Sequence, residues 1–226
     1  MENKVENLLI VYAADGGLLK ILLQKNDGEP YKGYWMIPGE ELDSKTTQED
    51  SAINLFKDIT SVTVNGFMQG GVFSDLDRKP ESRTIAIISV IVTDKEIVEM
   101  KMRDDVCFFD VNELPKIAYD HGEIIEKVTK EVKDKIIGNY SNILLKFFPS
   151  DFTLPEFQKF YENVLGKSID RRNFRKKIMT QNLVIDTGEK TSNGTGRPGT
   201  LYRFDISNMK GKKLWMKKDG ALKISF

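Results

Sequence analysis

The stretch Asp170-Arg171-Arg172-Asn173-Phe174-Arg175-Lys176-Lys177-Ile178 constrains this chain more than any other. At about 100° per residue, Phe174 and Ile178 share one side of a helix, one turn apart. Arg172 and Lys176 fall nearly opposite, with Arg175 flanking them. Such a helix must rest on an apolar partner and turn its cations outward. Asp170 can cap its start, offering an oxygen to free N–H groups and a negative charge to the positive dipole end. That design suits a phosphate-lined groove. A solvated, salt-bridged helix would show the same charges, so the flanking elements decide.

Upstream, residues 153–166 predict a second helix. Thr153 and Glu156 have capping-box spacing, Pro155 is tolerated in a first turn, and Gly166 can supply a left-handed stop. Leu154, Phe157, Tyr161, Val164 and Leu165 keep helical spacing. Only a few residues separate the two helices, which is helix–turn–helix geometry with the second helix as candidate reader. Downstream, Leu183-Val184-Ile185 predicts a short strand, residues 186–196 a polar glycine-rich loop, and residues 197–204 a returning strand. A hairpin after a reader helix is a wing, and Lys190 and Arg197 lie where its tip could reach phosphate or a minor groove. The candidate DNA-binding set is Arg171, Arg172, Asn173, Arg175, Lys176, Lys190 and Arg197.

Charge distribution agrees. The whole chain has zero formal charge, but residues 151–226 hold 16 Lys and Arg against 8 Asp and Glu. The front carries the opposite excess, so one half suits a polyanion and the other would be repelled by it. A length of 226 residues fits two domains, expected at residues 1–138 and 139–226. The single Cys107 allows no intrachain disulfide, and its apolar neighbours predict a packed thiol. One cysteine and one histidine exclude a zinc cluster of those residues. The polar N-terminus has no signal-peptide layout and no apolar run is long enough to span a bilayer, so a cytoplasmic protein is expected.

In the front half, residues 7–14 and 18–25 predict a hairpin around Gly16-Gly17. Residues 34–42 read as a strand broken at Pro38-Gly39, and residues 47–60 as a helix with Ala52, Leu55, Phe56 and Ile59 on one face. Val62-Thr63-Val64, residues 84–93 and residues 106–110 read as further strands. Residues 121–137 form an amphipathic helix, and residues 210–226 predict a terminal hairpin turning at Asp219-Gly220. This is a mixed α/β front followed by an α+β back.

Trp35-x-x-Pro38-Gly39, the helix behind it, and Asp110-x-x-x-Leu114-Pro115 resemble a Nudix hydrolase fold. The resemblance implies a metal-binding box of glutamates on residues 47–60. Counted from Gly39, those positions hold Lys45, Ile53-Asn54 and Lys57-Asp58; one register further they hold Asn54-Leu55 and Asp58-Ile59. At most one carboxylate remains, whereas a hard divalent metal needs several oxygens. The expectation is a catalytically inactive domain with no metal, no catalytic residues and no cofactor.

Together with Gly71-Val72-Phe73-Ser74-Asp75-Leu76-Asp77-Arg78, Tyr119-Asp120-His121 and Gly196-Arg197-Pro198-Gly199-x-Leu201-Tyr202, the chain resembles the NrtR-like family of Nudix-related transcriptional regulators. The fold class expected is an α/β Nudix-like sensor, a mixed sheet with flanking helices, followed by a winged helix-turn-helix domain. The sequence looks closest to the branch that governs sugar catabolism, including L-arabinose regulators; other members resemble regulators of NAD metabolism that sense ADP-ribose. The resemblance implies a pocket between the strand ending at Lys25, the Trp35–Glu40 turn and the loop at residues 73–77. Lys25, Trp35, Glu40, Ser74, Asp75, Arg83 and His121 are its candidate effector-binding residues, though His121, next to Asp120 at a helix start, suits a packing or capping role better than a ligand contact. The expected protein is a homodimeric repressor that holds palindromic operator DNA and releases it on binding L-arabinose or a related sugar. ADP-ribose is the alternative effector, and an active Nudix hydrolase the alternative function.

Overall fold

The computed structural model describes residues 4–79, 82–94, 96–97, 100, 102–138, 140–191, 198–209, 213–216 and 222–225. The chain divides into two compact units: Met1–Ala13 with Lys20–Lys130, and Ala14–Leu19 with Glu131–Phe226.

The first unit is built on a mixed sheet. Its strands are β1 (Lys4–Asp15), β2 (Leu18–Lys25), β3 (Trp35–Met36), β4 (Gly39–Glu41), β5 (Met68–Phe73), β6 (Thr84–Thr93) and β7 (Val106–Asp110). The order is β3-β2-β1-β6-β5, with β4 also on β1 and β7 on β2. β1 and β6 run parallel from Lys4↔Thr84 to Ala13↔Thr93. Both are near-continuous apolar runs because both sheet faces are covered. On one face, Leu9 and Val11 pack with Ala52, Leu55, Phe56 and Ile59 of α1 (Gln48–Thr60). On the other, the buried Tyr12 hydroxyl meets Thr129 Oγ1 of α2 (His121–Gly138) at 2.7 Å. Burial of that phenol pushes its pKa well above the ordinary range. Thr47 caps α1, its Oγ1 accepting from the Asp50 N–H at 3.1 Å and donating to the Asp50 carboxylate at 2.7 Å.

Two readings need correction here. Val62-Thr63-Val64 is irregular, not a strand; Val62 and Val64 pack against the edge of the α1 core. The sheet takes β5 instead, through Gln69-Gly70-Gly71, where the register against β6 shifts. Glycine has low strand propensity, but Gly70 is needed for close approach: an added Cβ would lie 2.7 Å from Ile88 Cγ2. Cys107 is exposed rather than packed. Its neighbours Val106 and Phe108 point the other way, since alternate strand residues face opposite sides.

The second unit contains α3 (Tyr140–Phe147), β8 (Phe152–Thr153), α4 (Leu154–Leu165), α5 (Arg171–Thr180), β9 (Val184–Lys190), β10 (Thr200–Phe204) and a single turn α6 (Ile206–Met209). Its core is an aromatic cluster in which Phe148, Phe157 and Phe204 meet edge to face at 5.2–6.3 Å between centroids. Phe160, absent from the helical pattern read for α4, is fully buried against Phe147 and Phe148, while Leu165 is only half-buried. β8 joins β10 and β9 in a three-stranded sheet. β9 extends to Lys190, five residues beyond the strand expected from Leu183-Val184-Ile185, so Lys190 sits on a strand end paired with Thr200. Residues 192–197, including Arg197, lie outside the described residues. The terminal hairpin is present as β11 (Lys213–Met216) antiparallel to β12 (Leu222–Ser225), with its Asp219-Gly220 turn outside the described residues. No helix among the described residues is long and apolar enough to cross a membrane.

Candidate functional site

In the second unit, local sequence fixes the reader helix. Thr153 Oγ1 accepts from the Glu156 N–H at 3.2 Å, and Gly166 ends α4 in the left-handed region at φ 68°. The turn is then held from α4: Glu162 Oε1 accepts from the Ile169 N–H at 2.7 Å, and Gln158 Nε2 donates to the Ile169 carbonyl at 2.9 Å. Asp170 caps α5 by accepting from the Asn173 N–H at 2.8 Å. Phe174 and Ile178 are 1 % and 0 % exposed, which commits the opposite face to solvent. Arg171, Arg172, Asn173, Arg175, Lys176 and Lys190 are all exposed. Arg175 Nη2 reaches the Tyr202 hydroxyl at 3.5 Å, beside a notch of about 130 Å³ that Arg171, Gln158 and Thr200 also line.

In the first unit, a cleft of about 280 Å³ opens beside β1 and β4. Of the seven expected effector residues, Glu40 and His121 line it. The other five do not, and their contacts say why. Trp35 packs edge to face on Phe109, 4.7 Å between centroids. Lys25 ends β2 opposite Trp35, with its side chain exposed. Arg83 spends its guanidinium on the backbone carbonyls of Ser74 and Asp75, at 2.6 and 2.9 Å, so all three belong to a loop staple.

The cleft is also bordered by residues outside that expected set: Glu6, Lys79 and Tyr119. Beside it lies Arg78, 4 % exposed, which donates to both Asp120 carboxylate oxygens (2.6 and 3.1 Å) and to Glu6 Oε1 at 3.0 Å. Burial works against the guanidinium charge, but hydrogen bonds and Coulomb attraction from Asp120 and Glu6 win, and its pKa stays above the ordinary arginine value. Lys79 pairs with the other Glu6 oxygen. Arg78 therefore does not salt-bridge within its own Asp75–Asp77 turn; its partners are 42 and 72 residues away, a separation no local pattern reveals. Tyr119 takes a left-handed φ of 54°, uncommon for an aromatic residue.

His121 is 2 % exposed, and its Nδ1 accepts from the Ile37 N–H at 3.0 Å. Burial, with Lys79 and Arg78 nearby, pushes its pKa down to about 3. Both facts make it a neutral imidazole with its proton on Nε2. Among the described residues no group accepts from that Nε2.

On α1, Asn54, Lys57 and Asp58 are exposed, and Asp58 acts electrostatically on Arg103. Among the described residues no three His, Cys, Asp or Glu side chains group as a metal site.

Residues 144–204 match the family model of the NrtR DNA-binding winged helix domain. Over 207 residues the chain is 24% identical to the ADPR responsive transcriptional repressor NtrR of Acinetobacter baylyi, spanning 88% of this chain and 81% of that protein. It is 36% identical over 112 residues to the ADP-ribose pyrophosphatase of Methanocaldococcus jannaschii, 47% of this chain and 64% of that one. The crystal structure of Shewanella oneidensis NrtR with a 27mer DNA superimposes with a TM-score of 0.73 at 23% identity, covering 91% of this chain and 95% of that one. The class is thereby defined: an α/β Nudix-like domain with a mixed sheet, joined to a C-terminal winged helix. Residues 144–204 are a winged-helix domain of the NrtR DNA-binding type, and the chain as a whole shares the fold of the Shewanella protein.

Proposed function

We propose that the chain is an ADP-ribose-responsive DNA-binding transcriptional regulator whose Nudix-like domain recognises its ligand without hydrolysing it. The observation that carries the DNA half is α5: a helix pinned by Phe174 and Ile178, with Arg172, Arg175 and Lys176 turned to solvent. In a winged helix of NrtR type that face enters the major groove, while Lys190 on the wing strand meets backbone phosphate. A homodimer would present two such heads to a palindromic site.

For the effector, both sequence relatives are named for ADP-ribose, which supports that nucleotide over the L-arabinose expected from sequence. The sugar reading has no comparable support. Loss of catalysis follows from residue chemistry: Lys57 and Asn54 cannot replace carboxylates on a magnesium-bound diphosphate. The pyrophosphatase relative makes this worth testing directly. Full-length protein incubated with ADP-ribose and magnesium should release no AMP above the no-enzyme control, and should retard promoter DNA in a gel. Stoichiometric turnover to AMP would restore the enzyme reading; no retardation at low salt would remove the regulator.

A further inference from the structure

The β1–β2 hairpin is shared between the two units: its strands build the first, and its tip, Ala14–Leu19, belongs to the second. The turn is Gly16-Gly17, with φ of 59° and 77°, and such a tip is ordinarily solvated. Here Gly17 is buried, as are Ala14 and Leu19. Helix α4 supplies part of that cover. The Leu19 N–H donates to Asn163 Oδ1 at 3.0 Å. Leu19 stands one residue beyond the last β2–β7 pair, Lys20↔Asp110, so an α4 side chain takes the place of a strand partner. One turn away on the same helix face, the Lys159 stem lies against Gly17: an added Cβ there would meet Lys159 Cβ at 2.7 Å.

The adjacent row of α4, Gln158 and Glu162, holds the turn that leads into α5. One helix is thus gripped along one row by the hairpin tip and, along the next, grips the mount of the reader. β1 is a stiff element, paired with β6 along Lys4–Ala13, and its Glu6 and Leu8 border the cleft of the first unit. Coupling free energy travels through such chains of packed side chains, hydrogen bonds and rigid elements. We infer that Asn163 is a positioning residue for regulated DNA reading. Through the Leu19 N–H it ties α4, and hence the reader helix, to the β1–β2 hairpin, so that a shift of these strands on effector binding passes to α5. The assignment rests on the regulator reading, whichever effector is bound.

The full chain on a labelled promoter fragment, with and without saturating ADP-ribose or L-arabinose, gives the coupling as a ratio of two DNA dissociation constants. Asn163→Ala should bring that ratio toward one by about two- to tenfold, the weight of one hydrogen bond. DNA affinity in the absence of effector, and effector affinity in the absence of DNA, should not change. Asn163→Asp, whose carboxylate still accepts from the Leu19 N–H, should keep the wild-type ratio. Hydrogen exchange at the Leu19 amide should speed up in Asn163→Ala and stay slow in Asn163→Asp. A ratio unchanged in Asn163→Ala, or an unchanged exchange rate at Leu19, would overturn the role of Asn163 and leave the regulator standing. So would a loss of DNA affinity that is equal with and without effector, which marks a merely structural residue. A wild-type ratio of one with both ligands would overturn the regulator reading and the tie with it.

Discussion

Arg78 is a buried cation whose worth lies in what it neutralises. It stands between Glu6 and Asp120, themselves mostly out of water. Removing one member of a buried ion cluster leaves its partners uncompensated, at about 3–5 kcal/mol. Arg78→Met should therefore lower unfolding stability by that order in urea melts, and Asp120→Asn in the same chain should recover part of it. His121 makes a pH statement. Its pKa falls to about 3 when folded, below the ordinary 6.5, so the unfolded chain takes up the proton first as pH drops. Stability from this residue is complete above pH 6.5 and declines between there and pH 3, by at most about 1.4 kcal/mol per unit. Urea midpoints at pH 7.5, 6.0 and 5.0 should fall in that order, and less steeply in His121→Gln. On α5, Arg172→Ala and Lys176→Ala should leave the melting temperature unchanged, since both are exposed. Each should weaken DNA binding and, where it touches phosphate, flatten the salt slope by about one.

At the scale of elements, the α4–α5 turn is the part that aims the reader. Glu162 contributes two hydrogen bonds there, to the Ile169 N–H and the Gln158 amide, though it lies on the helix before the reader. Glu162→Ala should cost about 1–3 kcal/mol of stability, from two lost bonds and a donor left unpaired. It should also weaken DNA retardation while every cation remains. These helices were legible because their signals are local: Thr153, Gly166 and Asp170 announce caps, and Phe174 with Ile178 sets the buried face. The failures share a different cause. β5 hides in Gln69-Gly70-Gly71 because its glycines serve close approach to β6, which depends on a distant strand. β8 is two residues long and exists only because β10 returns to it. Val62-Thr63-Val64 has the composition of a strand but pairs with no strand among the described residues.

For the whole molecule, the division into an acidic front and a basic back could be read from charge alone, because net charge needs no contacts. The cleft could not. Glu40 and His121 stand in motifs, as does Tyr119 beside His121, but Glu6 and Lys79 join them only through the fold of the sheet around β1 and β6. The proposed function joins two binding events through one chain, and that coupling is a free energy: a ligand that weakens DNA binding by some factor must itself be weakened by DNA to the same degree. The most direct measurement is fluorescence anisotropy of a labelled promoter fragment bound to the full chain, titrated separately with ADP-ribose and with L-arabinose. The account predicts that ADP-ribose shifts the DNA dissociation constant by about 5–150-fold, the usual span of such coupling, while L-arabinose leaves it unmoved. DNA affinity indifferent to ADP-ribose, or changed by L-arabinose alone, would contradict it.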